Sequence, residues 1–186
     1  MSQPPSSQPA GSGPLRHPEL LGVYVNDHLA AATGGVELVS RMLSRHRGTR
    51  WEPKLEQLLD ELREERSAHI AMAGALDIPV RTYKQLGTWV AEKLSRVKLN
   101  GRLLSRSPLS DLVEFEFIAT AVLAKRAGFE TLLELAAVEP RLDRALLERL
   151  VAQADDQHQW LADARREVAA QVFGGRPDAA DRAADT

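Results

Sequence analysis

Apolar residues return every three or four positions over stretches of roughly 20 to 35 residues, and the prolines from Pro18 to Pro140 fall where those stretches begin or end. Strands would alternate with period two, and no such alternation of useful length occurs. The chain is therefore constrained to an all-α fold in which each long helix hides one face against its neighbours.

Five segments follow. The first spans about Glu19 to His46, with an apolar line through Leu21, Tyr24, Ala31, Leu38 and Met42. Gly34 and Gly35 lie inside it, at a cost of roughly 1 kcal/mol each relative to alanine, and let a neighbour approach closely. The second spans about Pro53 to Leu76 and puts Leu55, Leu59, Leu62, Met72 and Leu76 on one face, with Pro79 barring continuation. A shorter third segment, about Thr82 to Leu99, ends at Asn100-Gly101. The fourth opens with Ser107 as N-cap and Pro108 in the first turn, and runs to about Ala136, with Gly128 as a site of bending. The fifth begins near Pro140 and closes after Phe173 at Gly174-Gly175. Residues 1–17 are rich in Ser, Gln, Pro and Gly, without the basic start and apolar segment of a secretory signal, and read as a disordered leader. Residues 174–186 read as a disordered tail, leaving 18–173 as one helical bundle.

The bulk numbers exclude several classes. Net charge is −2, which does not suggest nucleic acid as a partner. Without cysteine there is no disulfide, thiolate metal site or thiol catalysis, in keeping with a cytoplasmic location. No run of about 18 apolar residues is present to cross a membrane.

The informative residues are polar ones on the lines meant for the core. His28 follows Tyr24 by four, with Asp27 beside it. Glu65 and His69 occupy positions where the leucines of the second segment should continue. Glu116 lies between Leu112 and Thr120 on a line that also holds Leu109 and Leu123, with Glu114 on the flank. His158 falls between Val151 and Leu161, and Asp155 shares its side. Buried carboxylates and imidazoles are costly unless paired, hydrogen-bonded or metal-bound.

The segments YVNDHLAAATGGVELVSR (24–41), LLDELREERSAHIAMAGALDIP (58–79) and WVAEKLSRVKLNGRLLSRSPLSDLVEFEFI (89–118), with the long final helix, resemble the ferritin-like superfamily, and more closely its small actinobacterial-type bundle proteins. The resemblance implies an up-down four-helix bundle with a long crossover connection, the short Thr82–Leu99 helix belonging to that crossover. It also implies a place for a di-metal centre of iron or manganese. Asp155-x-x-His158 resembles one Glu-x-x-His motif with Asp for Glu. Glu65 and His69 resemble the other at a spacing of four rather than three, and Glu116 or Glu114 stands for the carboxylate of the remaining long helix. Helix one offers His28 where a carboxylate belongs.

Three functions stand against one another. The leading one is a metal-free or metal-degenerate bundle serving structure, assembly or partner binding, as a homodimer or with another protein, and with no cofactor. There Glu65, Arg66, His69 and Glu116 form an interhelical salt-bridge network with a basic partner, and His28 is a hydrogen-bonded core histidine. The alternative is a di-metal carboxylate protein handling oxygen, peroxide or iron, with Glu65, His69, Glu116, Asp155, His158 and His28 as ligands. The third is a phosphate or polyanion binder using Lys84, Lys93, Arg96, Lys98, Arg102 and Arg106 beside Asn100-Gly101, Ser105 and Ser107.

Overall fold

A computed structural model describes residues 17–81 and 108–174. Four helices account for nearly all of them: α1 (Pro18–Arg45), α2 (Glu52–Ala75), α3 (Pro108–Leu135) and α4 (Arg144–Phe173). Among the described residues there is no strand, and no helix is long and apolar enough to cross a membrane. The expected leader, tail, Thr82–Leu99 helix and basic run from Lys84 to Arg106 lie outside the described residues, as does Ser107.

Each helix stops for a local reason. The turn after α1 places Gly48 at φ 72°, in the left-handed region, and its N–H donates to Glu52 Oε2 at 2.6 Å. α2 ends with Asp77 at φ 57°, while Asp77 N donates to Gly74 O (3.1 Å) and Ile78 N to Ala73 O (2.9 Å). Those two bonds, with a left-handed residue after the cap, make a Schellman ending that uses Asp in place of glycine. α4 starts at Arg144, four residues beyond the proline expected to open it. The Asp143 side chain caps it by accepting from Leu146 N at 3.0 Å.

Helix directions follow from contacts between their ends. Trp51, at the start of α2, packs on Phe115 near the start of α3, with ring centroids 5.5 Å apart. His69, well along α2, meets Phe129, well along α3. α2 and α3 are therefore parallel, and α2 ends where α1 begins, with Asn26 donating to Pro79 O at 3.2 Å. α4 returns antiparallel to both: its Gln157 reaches Glu65, while Glu167 pairs with Arg50 next to the α1–α2 turn. The order is two antiparallel hairpins, α1–α2 and α3–α4, packed side by side.

The apolar core comes in two clusters. One, toward the α1–α2 turn, gathers Leu38, Met42, Leu55, Leu58, Phe115, Ile118 and Leu161. The other, toward the start of α1, gathers Val25, Met72, Phe129, Leu132, Leu147 and Leu150. Between them lies a polar layer. Its members come from α1, α2, α3 and α4, and it is there that the candidate site is found.

Candidate functional site: a polar layer beside a mid-bundle cavity

α2 carries its leucines inward at every expected position, so the same face takes Glu65 and His69 into the interior, at 3% and 5% exposure. From α3, Lys125 extends its chain along the core and brings Nζ to 2.5 Å from Glu65 Oε2. It also donates to Gln157 Oε1 from α4. Gln157 is buried in turn and donates to Glu65 Oε1 at 2.9 Å and to Glu61 Oε2 at 2.8 Å. Both Glu65 oxygens and the Gln157 amide thus have protein partners. Burial pushes the Glu65 carboxyl up and the Lys125 ammonium down from their ordinary values, and each opposes the other's shift through its charge and hydrogen bond. From Glu61 the chain continues outward through Gln57 and Lys54 to the surface groove between α2 and α4.

His69 lies a turn away. Burial first, and the His28 ring second, lower its imidazole to about 4, against the opposing effect of a hydrogen bond to the Val25 carbonyl. The ring is therefore neutral at pH 7. Its Nε2 is buried and has no hydrogen-bond partner among the described residues. The Val25 bond accordingly belongs to Nδ1–H, which leaves the lone pair on Nε2. His28 stacks alongside, ring centroids 6.3 Å apart and planes at 18°, with Tyr24 on it at 4.5 Å. Burial lowers the His28 pKa as well. α3 can lie this close to His28 only because residue 128 is glycine: a Cβ there would stand 2.5 Å from His28 Cε1.

A cavity of about 270 Å³ adjoins both imidazoles and the Glu65–Lys125 pair. Its walls are otherwise the Asp27 carboxylate with Ala31, Ala32 and Gly35 from α1, Leu62 from α2, and Ile118, Ala121, Val122, Ala124 and Phe129 from α3. The space exists because facing positions carry alanine and glycine where a packed bundle would carry leucine.

The six expected metal ligands are distributed unevenly. Glu65 and His69 are in the layer, and His28 is half-buried at the cavity wall. Glu116 is exposed, 3.5 Å from Arg165. Asp155 is exposed and takes a 2.5 Å hydrogen bond from Arg126 Nε. His158 is half-buried on α4, one position past the inward Gln157. Glu114 pairs with Arg45. Among the described residues no three His, Asp or Glu side chains are grouped so that they could hold a metal ion. The expected basic partner of Glu65 is Lys125, while Arg66 turns to Thr33 Oγ1 (3.0 Å) and Glu116 is absent from the network.

Lys125, Gln157 and Asn26 were not anticipated. Asn26 is 3% exposed; besides holding Pro79 it accepts from Arg81 N at 2.8 Å. A lysine and a glutamine at core spacing, Lys125 three after Val122 and Gln157 three after Ala154, were the available signals. No protein-family model matches the chain, and no curated protein or solved structure matches it either.

Proposed function

We propose that the chain is a ferritin-like bundle in which a lysine–carboxylate pair stands where a metal centre would be, and that it serves as a metal-free binding or assembly scaffold. The observation carrying this reading is Lys125 Nζ at 2.5 Å from Glu65 Oε2, with Gln157 on the other carboxylate oxygen. A di-metal site needs several carboxylates to neutralise and bridge its cations. Here the one deeply buried carboxylate of the expected set already has its positive charge from Lys125, and an ammonium group and a metal ion exclude each other at that distance. Glu116 and Asp155 meet arginines at the surface instead. The residues present do not fit a di-metal centre.

The ferritin-like part of the proposal is supported by helix order. Two antiparallel hairpins with α2 parallel to α3 are the arrangement that a bundle with one long crossover requires. Its partner would be a second copy of the chain or another protein.

The test is elemental analysis after anaerobic loading with ferrous or manganous ion, run on wild type and Glu65→Ala. Neither protein should retain stoichiometric metal. Stoichiometric iron in wild type that disappears in Glu65→Ala would overturn the proposal.

A further inference from the structure

We propose that the outer face of α1 is the seat of residues 82–107 of the same chain, which join α2 to α3 and cross that face on a diagonal. The first observation is burial on a side where none of the four described helices stands. Arg66 of α2 reaches Thr33, and Gly128 of α3 meets His28, so Thr33 and His28 mark the inward directions of α1. At about 100° per residue, Gly34 lies about 100° round from Thr33 and about 120° from His28, opposite the bundle axis. Gly34 is nevertheless buried, and so are Asn26 (3% exposed) and Ala30 (7%). Val23, Asp27, Ala31 and Arg41 share that side and are exposed. Spaced four apart, Asn26, Ala30 and Gly34 trace one narrow diagonal from the α2 side outward, and Leu38 carries it on toward α3.

The second observation is where the chain leaves and returns. After α2 it is tied to the first residue of that diagonal, since Asn26 donates to Pro79 O at 3.2 Å and accepts from Arg81 N at 2.8 Å. It re-enters beside the far end of α1, where Asp111 lies 3.9 Å from His46 and Glu114 pairs with Arg45. From Asn26 to His46 is about 30 Å along the helix. The helix expected from Thr82 to Leu99 would be about 27 Å long, which leaves Asn100 to Ser107 to reach α3.

The third is fit. Leu86, Trp89, Val90, Leu94 and Val97 recur at three- and four-residue spacing. Counted from the Asn26–Arg81 tie at equal rise, Leu86 comes level with Ala30 and Ala31, and Trp89 and Val90 with Gly34 and Gly35. Large apolar groups thus meet positions where α1 has a methyl or nothing, and small residues at a crossing allow axes to approach to about 8 Å. This seat stands independently of the metal-free reading, because metal retention reports on Glu65 and Lys125 and the route of residues 82–107 involves neither.

The chain has no cysteine, so an engineered pair reports alone. In the full chain, Ala30→Cys with Leu86→Cys should close an intrachain disulfide under mild oxidation and lose both free thiols, which requires Cα atoms about 4.4–6.8 Å apart. Ala152→Cys with Leu86→Cys probes the other route, over the groove between α2 and α4, and should keep both thiols. Separately, trypsin should cut between Lys84 and Arg106 about tenfold faster in Ala30→Arg than in wild type, as the undocked population rises, with helical circular dichroism kept. Ala31→Arg, one position round the helix, should be cut like wild type. Four results would each overturn the proposal: free thiols persisting in the Ala30→Cys pair, a bridge formed as readily by the Ala152→Cys pair, cleavage of Ala30→Arg no faster than that of Ala31→Arg, or a disulfide-linked dimer from Ala30→Cys alone, which would make a second copy the cover.

Discussion

Two glycines inside helices should respond to alanine with opposite signs. At Gly35 a Cβ meets no described residue within 4 Å. Gly35→Ala therefore collects the helix-propensity gain of about 1 kcal/mol with nothing to oppose it. At Gly128 the same gain is available, but the Cβ would sit 2.5 Å from His28 Cε1 and 2.7 Å from its Nδ1. The imidazole has the Tyr24 ring at 4.5 Å and must move toward the cavity. Overpacking of this kind costs about 1–3 kcal/mol, so Gly128→Ala should come out between neutral and about 2 kcal/mol less stable than wild type. For a chain of this size, 1 kcal/mol moves Tm by about 2–4 °C. Thermal unfolding should place Gly35→Ala above wild type and Gly128→Ala at or below it. The decisive step is a double-mutant cycle with His28→Ala. Once the ring is gone, Gly128→Ala should stabilise by about 1 kcal/mol, giving a coupling energy of about 1–3 kcal/mol. If Gly128→Ala stabilises wild type as much as Gly35→Ala does, the close approach of α3 to His28 is refuted.

Lys125→Met strands the Glu65 carboxylate and should cost about 3–5 kcal/mol at pH 7, shrinking as pH falls because the raised Glu65 group takes up a proton more readily than a free carboxylate. Adding Glu65→Leu should recover most of it, and a loss under about 1 kcal/mol by urea unfolding of the single variant would refute the burial of the pair. His69 should make stability fall with acid. Its folded value of about 4 lies below its ordinary 6.5, so the unfolded chain binds the extra proton between those pH values. The contribution is full above pH 6.5 and is lost as pH drops toward 4, by up to about 3 kcal/mol. His69→Phe should flatten that slope, and because the Glu65 shift has the opposite sign, the difference between the two proteins is the quantity to measure. Asn26→Ala removes the ties to Pro79 and Arg81 and should cost about 1–3 kcal/mol. Hydrogen exchange should then quicken at the Arg81 amide before it does in α2. Asp143→Ala should lose about 1 kcal/mol through the α4 cap, read by chemical denaturation.

How far the residues could be read in advance differed by helix. α2 was fully legible, because its leucines alternate with charged residues and only one line is apolar. Glu65 and His69 fell on that line and are buried. α3 was not. Around Phe115 to Ala124 it is apolar on nearly every side, so periodicity could not choose a line. Of the expected line, Leu109, Glu116, Thr120 and Leu123 face out and Leu112 is buried, together with Phe115, Ile118, Val122 and Phe129. On α4 the choice was wrong by one residue, which turns a helix by about 100°. That step exchanges His158 for Gln157 as the inward side chain and leaves Asp155 at the surface. α1 shows the same displacement in its first half, where Val25 and Leu29 are buried and Ala31 is exposed. Of the two glycines expected to admit a neighbour, Gly35 has no described residue within reach of an added Cβ and Gly34 is buried, while a close approach is found at Gly128.

The polar layer also acts as an assembly check. Glu65 belongs to the first hairpin, whereas Lys125 and Gln157 both belong to the second. Neither hairpin holds both charges of the pair. If the two dock one helical turn out of step, about 5.4 Å, a carboxylate and an ammonium are each sealed against leucines. Leucine-to-leucine contacts tolerate such an error, since one apolar side chain resembles the next. Water retained at Glu65 and Lys125 would hold a misaligned pair of hairpins open, so that only the matched alignment can dry and close.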